Sequence, residues 1–257
     1  MLGAIAGDIV GSVYEDRPIK TKSFPLFSPD SRFTDDTVLT VAVAEHLLHG
    51  QPLVELFHDY VARYPDAGYG KSFLQWAAGR SREPYGSWGN GAAMRVSPVG
   101  FACGTLEETL ERARDTARVT HNHPEAIRGA QATAAAVFLA RRGKTKEAIR
   151  EAITRLFGYD LTSSLETLRP GFVWDASCPG TVPPALTAFL ESRDFEDALR
   201  NAVSLGGDSD TLACIAGGVA QAFYGQVPED IARETLSRLD RRLRQVTEEF
   251  GERYDCR

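Results

Sequence analysis

Apolar residues recur at spacings of three and four along most of the chain, and the strict alternation that marks a half-buried strand is scarce. Residues 2–14 read as a helix of small residues, and 15–33, broken by Pro18, Pro25 and Pro29, as an irregular loop. A helix over 36–49 stops at Gly50, and Pro52 suits the first turn of the next one. Residues 69–79 predict a short helix, 105–120 a charged amphipathic one, 124–141 an Ala-rich one opened by Pro124, and 144–157 another. The stretch 158–183 holds Pro170, Gly171, Pro179, Gly180 and Pro183 and reads as loop. Helices follow at 184–192, 194–204 and 210–224, and a final charged one over 228–250 has Leu236, Leu239, Leu243 and Val246 as its inner stripe. No linker, low-complexity tract or tandem repeat interrupts the period. The pattern predicts an all-α fold, compact and single-domain over residues 1–257.

Composition narrows the setting. Of 257 residues, 43% are hydrophobic and 25% charged, the balance of a globular domain with a sizeable core. The net charge of −6 speaks against general nucleic-acid binding. Cys103, Cys178, Cys214 and Cys256 are scattered without metal-ligand spacing and read as reduced and mostly buried, which points to a cytoplasmic protein. Asp8 interrupts the apolar start and no basic segment precedes it, so no signal peptide is expected. No apolar run is long enough to span a membrane. A monomer is the default expectation.

The candidate chemistry gathers at two helix starts. In Leu205-Gly206-Gly207-Asp208-Ser209-Asp210-Thr211, two glycines allow a tight turn and two acids then stand at the mouth of an apolar helix. Phe33-Thr34-Asp35-Asp36-Thr37 repeats that logic before Val38, Leu39, Val41 and Val43. One acid at a helix start is a cap, but two so close repel unless a cation lies between them. If the two helices pack together, four carboxylates and several hydroxyls converge, a hard-oxygen set suited to Mg²⁺, Mn²⁺ or Ca²⁺ rather than zinc.

Other features are weaker alone. Asp8, inside an apolar helix, needs partners and reads as structural; Glu15, by spacing, reads as a solvated surface acid. The glycine-rich loop Gly86-Ser87-Trp88-Gly89-Asn90-Gly91 offers backbone N–H groups to an anion but is not a Walker motif. His121 and His123 suit a polar pocket lining or a cap better than zinc, and His46, His49 and His58 are expected to face solvent. Asp35-Asp36-Thr37-Val38-Leu39 lacks the closing acid of a prenyl-diphosphate enzyme.

Taken in order, Gly7 to Glu15, Thr34 to Thr37, Gly89 to Arg95, Thr120 to Pro124 and Gly206 to Thr211 resemble the ADP-ribosylglycohydrolase family, from Gly3 to about Gly225. The resemblance implies an all-α fold around a binuclear metal centre of two Mg²⁺ ions, with Mn²⁺ as the other candidate. It places Thr34, Asp35 and Asp36 on one side of the pair and Asp208, Asp210 and Thr211 on the other. It implies that Gly86, Ser87, Trp88, Gly89, Asn90 and Gly91 lie along the diphosphate and distal ribose of ADP-ribose, and that His121 lines the same pocket. Glu15 becomes an acid–base group, with Asp35 beside it in the catalytic set. The implied activity is Mg²⁺-dependent hydrolysis of the C1″ bond of an ADP-ribosylated acceptor, serine- or arginine-linked protein or a related conjugate. The alternative is a catalytically silent ADP-ribose-binding protein of the same fold.

Overall fold

The computed structural model describes residues 1–256. Among these residues the regular structure is helical: α1 (Leu2–Gly11), α2 (Asp35–His49), α3 (Leu53–Arg63), α4 (Lys71–Ala78), α5 (Gly91–Met94), α6 (Ser97–Ala102), α7 (Leu106–Arg118), α8 (Pro124–Arg141), α9 (Lys146–Phe157), α10 (Leu165–Leu168), α11 (Cys178–Leu190), α12 (Phe195–Val203), α13 (Ser209–Tyr224), α14 (Glu229–Ser237) and α15 (Arg241–Arg253). One isolated antiparallel bridge joins Gly89 to Ser177.

Two helices from opposite ends of the sequence form the centre. Every residue of α1 is buried, and so is α13 from Ser209 to Ala222. Gly3, Gly7 and Gly11, spaced by four, share one face of α1, and that face rests on the backbone of α13. A Cβ on Gly7 would lie 2.0 Å from the Ala213 carbonyl oxygen, and one on Gly11 2.4 Å from that of Ser209. Only a bare backbone allows the helices this close. Around the pair stand α8, α11 and α12 against α13, α14 against α1, and α2 carrying α3, α6 and α15.

The elements depart from the sequence reading at defined points. The last helix is two, because Asp240 accepts from the N–H of Leu243 at 2.9 Å and so caps a fresh start as α15. α11 begins within the expected loop: Ser177 accepts from Gly180 N–H at 3.1 Å, Pro179 sits in the first turn, and the helix runs on through Pro183 and Pro184. Two short helices, α5 and α6, occupy residues after the glycine loop for which no element was expected. His58 does not face solvent; its ring stacks on Trp76 at 4.4 Å and its Nε2 meets the Ser81 carbonyl at 3.0 Å. The four cysteines are free and buried. No helix among the described residues is long and apolar enough to cross a membrane.

Candidate active site

The starts of α2 and α13 meet beside the end of α1. On α2 the cap is Thr34, whose hydroxyl oxygen accepts from Asp36 N–H at 3.3 Å, so neither Asp35 nor Asp36 is needed for that role. On α13 Asp208 makes no capping bond; its Oδ2 accepts from Asn90 Nδ2 at 2.7 Å. The acids are therefore surplus to capping and are turned inward.

Asp8 holds the two starts in register. Its Oδ1 accepts from Thr34 Oγ1 at 2.7 Å, and its Oδ2 accepts from the N–H groups of Thr34 at 3.0 Å and Thr37 at 3.1 Å and from the Thr37 hydroxyl. With its oxygens so engaged it acts as a structural clamp, as the sequence suggested. Thr34 Oγ1 also lies 3.3 Å from Asp210 Oδ2, and Thr211 Oγ1 donates to Asp36 Oδ2 at 3.2 Å. Each half of the site thus reaches across to the other. Asp36 Oδ1 is buried and has no hydrogen-bond partner among the described residues. Glu15, Asp208 and Asp210 bring one carboxylate oxygen each within 4.8 Å of one another.

That crowding shows in the proton affinities. Burial, then the charge of Asp210, raises Asp35 and Asp36 well above the usual carboxylate range; burial, then Asp208, does the same to Asp210. Asp208 is raised by burial. Glu15 is pushed up to about 7 by burial and then by Asp210, and Asp8 to about 6 by burial against the pull of its hydrogen bonds. A protein that gathers acids and leaves one buried oxygen orphaned is fitted to a hard cation, because all the available donors are carboxylate and hydroxyl oxygens.

A cleft of about 460 Å³ opens over the cluster, within the usual range for a small-molecule site. Glu15, Thr34, Asp35, Asp36, Asp208, Asp210 and Thr211 line it, as do Ser87, Gly89, Asn90, Gly91 and His121. Gly86 and Trp88 do not. Gly86 supplies the turn, at φ 72°, while Trp88 is 56% exposed with its ring 5.9 Å from that of His123. The loop is braced from behind: Asn90 N–H donates to the Ala176 carbonyl at 2.7 Å, and Cys178 N–H to that of Trp88 at 3.0 Å. Glu15 is half-buried at the cleft rather than a free surface acid.

Tyr85 and Arg95 also line the cleft, as do Arg32, Asp66, Lys71 and Trp174, which were not singled out from the sequence. Trp174, 58% exposed in a segment of loop composition, offered one signal: a large aromatic with no core to fill. Asp66 gave none, since it is brought in by the bond from Asp35 N–H to the Ala67 carbonyl at 2.7 Å.

Known proteins bear on this arrangement. The chain is 28% identical over 313 residues to ADP-ribosylhydrolase ARH3 of Bos taurus, covering 89% of this chain and 85% of that protein. It is 27% identical to the Homo sapiens protein of the same name, covering 89% and 86%. To the ADP-ribosyl-[dinitrogen reductase] glycohydrolase of Rhodospirillum rubrum it is 32% identical, over 64% of this chain and 56% of that one. A solved structure described as an ADP-ribosylglycohydrolase-related protein complex superposes with a TM-score of 0.70 at 30% identity, covering 98% of this chain and 96% of its own. The sequence pattern of the ADP-ribosylglycohydrolases runs over residues 1–256, so the chain belongs to the ADP-ribosylglycohydrolase family.

Proposed function

We propose that this enzyme hydrolyses the C1″ glycosidic bond of an ADP-ribosylated acceptor in a Mg²⁺-dependent reaction and releases ADP-ribose. The observation that carries the reading is the buried carboxylate cluster, with Asp36 Oδ1 unpartnered, at the floor of a cleft walled by the loop Ser87 to Gly91. Thr34, Asp35 and Asp36 on one side and Asp208, Asp210 and Thr211 on the other would hold a pair of Mg²⁺ ions, with Mn²⁺ the alternative. Such ions would supply Lewis acidity and orient ribose hydroxyls.

The chain's own groups account for the rest. Ser87, Gly89, Asn90, Gly91 and His121 bind the diphosphate and distal ribose. As the C1″ bond lengthens, positive charge builds on the sugar, and the surrounding carboxylates stabilise it. Glu15, pushed up to about 7, carries a proton for part of the time at neutral pH and can give it to the departing group. That suits an oxygen leaving group, so the favoured acceptor is serine-linked, ahead of arginine. Arg32 and Trp174, from the two loops that flank the cleft, stand where an acceptor segment would be read.

The test is ADP-ribose release from serine-linked, arginine-linked and nucleic-acid-linked substrates, in Mg²⁺ and then in EDTA. Release from the serine-linked substrate that EDTA abolishes is expected. Release that persists in EDTA overturns the metal role, and release from another member alone overturns the acceptor.

A further inference from the structure

Arg95, at the end of α5, is buried at 1% exposure and lies with its guanidinium 4.6 Å from the centre of the Phe57 ring. Its Nη2 donates to Thr120 Oγ1 at 2.8 Å and approaches the Thr116 carbonyl at 3.4 Å; Nε and Nη1 have no partner among the described residues. A guanidinium can only donate, so the Thr120 oxygen must accept. The same hydroxyl lies 2.7 Å from His121 Nδ1, the remaining partner within its reach. A hydroxyl has one proton, and here that proton has one place to go. Nδ1 is therefore the acceptor, and the ring's own proton sits on Nε2.

The Nε2 end faces the ligand loop. A Cβ on Gly91 would lie 3.1 Å from Nε2, and one on Gly89 3.6 Å. Nε2 has no protein hydrogen-bond partner among the described residues, and His121 lines the cleft. Burial, and then the charge of Arg95, hold the imidazole well below its usual range, so the ring is neutral and its tautomer matters.

We propose that Arg95 and Thr120 form a one-way hydrogen-bond chain that fixes His121 in its Nε2–H tautomer and aims that N–H into the cleft, as a donor to an acceptor oxygen of ADP-ribose. This rests on the functional reading above. Arg95 and Thr120 are positioning residues, and His121 is the group that meets the ligand. Reversing the direction would leave the buried Thr120 proton without an acceptor, since Arg95 can only donate. The buried cation beside an acid-rich site thus serves to set a neutral donor two bonds away.

The experiment is ¹⁵N NMR of the histidine ring in the full chain, with ADP-ribose affinity by calorimetry, for the native protein, Thr120→Val and Thr120→Ser. In the native protein His121 should carry its proton on Nε2, with the Nδ1 resonance displaced upfield by the bond it accepts. Thr120→Val should lose that displacement and weaken ADP-ribose binding by about tenfold, the worth of one well-placed hydrogen bond, and Thr120→Ser should restore both. A proton on Nδ1 in the native protein, or Thr120→Val with both readouts unchanged, overturns the proposal. The native spectrum decides the tautomer even if Thr120→Val does not fold. Native protein with the expected tautomer but no ADP-ribose binding would overturn the ligand and the functional reading while leaving the chain of bonds in place.

Discussion

Replacing Gly7 by Ala tests whether the closeness of α1 and α13 holds the site together. The added methyl would lie 2.0 Å from the Ala213 carbonyl oxygen, 2.3 Å from its carbon and 2.7 Å from the Cys214 nitrogen. All three are backbone atoms of a buried helix and cannot rotate aside. Restoring an ordinary 3.4 Å contact means parting the helices locally by about 1.4 Å. Overpacking of this kind costs about 1–3 kcal/mol, at the upper end here, and the better helix propensity of Ala returns no more than about 1 kcal/mol. The net expectation is a loss of about 2 kcal/mol, or a drop of about 1 M in the urea midpoint at an m-value of about 2 kcal/mol/M. Gly218→Ala is the control. It lies on α13, but its methyl would meet Ser97 Cβ at 3.0 Å and Ala4 Cβ at 3.5 Å, contacts that need a shift of only a few tenths of an ångström. Urea unfolding of the three proteins, with Mg²⁺ titrated into each, provides the assay. Gly7→Ala should also bind Mg²⁺ more weakly, because Asp8 and Thr34 would draw away from Asp210. Equal midpoints for the two variants would refute the reasoning.

Three further outcomes are expected. Without divalent cation, the acids whose folded proton affinity is raised oppose folding when ionised; for Asp8 at about 6 and Glu15 at about 7, that opposition is complete only well above pH 7 and is relieved as pH falls towards 4. In EDTA the melting temperature should therefore rise between pH 8 and pH 5, and saturating Mg²⁺ should raise it most at pH 8; a calorimetric scan showing neither trend contradicts the cation site. Glu15→Gln should keep ADP-ribose affinity within a few-fold and lose about 10²–10⁴ in turnover, read from initial rates at saturating substrate; near-native turnover removes Glu15 from the chemistry. Asp210→Ala should lose both Mg²⁺ binding and turnover, and retention of either in calorimetry or rate assays counts against its place in the metal set.

Much of this molecule is legible in its sequence because helices announce themselves locally. The apolar period, Gly50, Pro124 and the acid-rich starts at Thr34 and Asp208 each carry a mechanism within a few residues. The candidate acids stood out for the same reason: two carboxylates within three residues at a buried helix start exceed what a cap uses. What stayed hidden depends on distance along the chain. Asp8 was readable as a structural acid, but not that Thr34 and Thr37 would be its partners. By spacing alone Glu15 looked like a surface acid, and only the family resemblance gave it another role, because the residues that close around it, Asp208 and Asp210, lie some 190 positions later. The break at Asp240 was missed because the apolar stripe continues across it, and only the side-chain bond to Leu243 shows that the helix restarts. Gly3, Gly7 and Gly11 stand at intervals of four in plain view, yet what they press against cannot be read from α1 alone.

The union of α1 with α13 also sets a schedule. Nearly two hundred residues separate Gly11 from Ser209, and at synthesis rates of about 5–20 residues per second the first helix waits on the order of 10–40 s for its partner to be made. During that interval an element meant to be buried on every side has only the start of α2 at hand to cover it. Glu15 is likewise without Asp208 and Asp210, the acids that will close around it. Chain closure and construction of the site are then one event, late in biogenesis. A newborn chain stalled before α13 holds only half of the proposed cation ligands, so divalent cation cannot trap a partly built enzyme and can favour only the finished one.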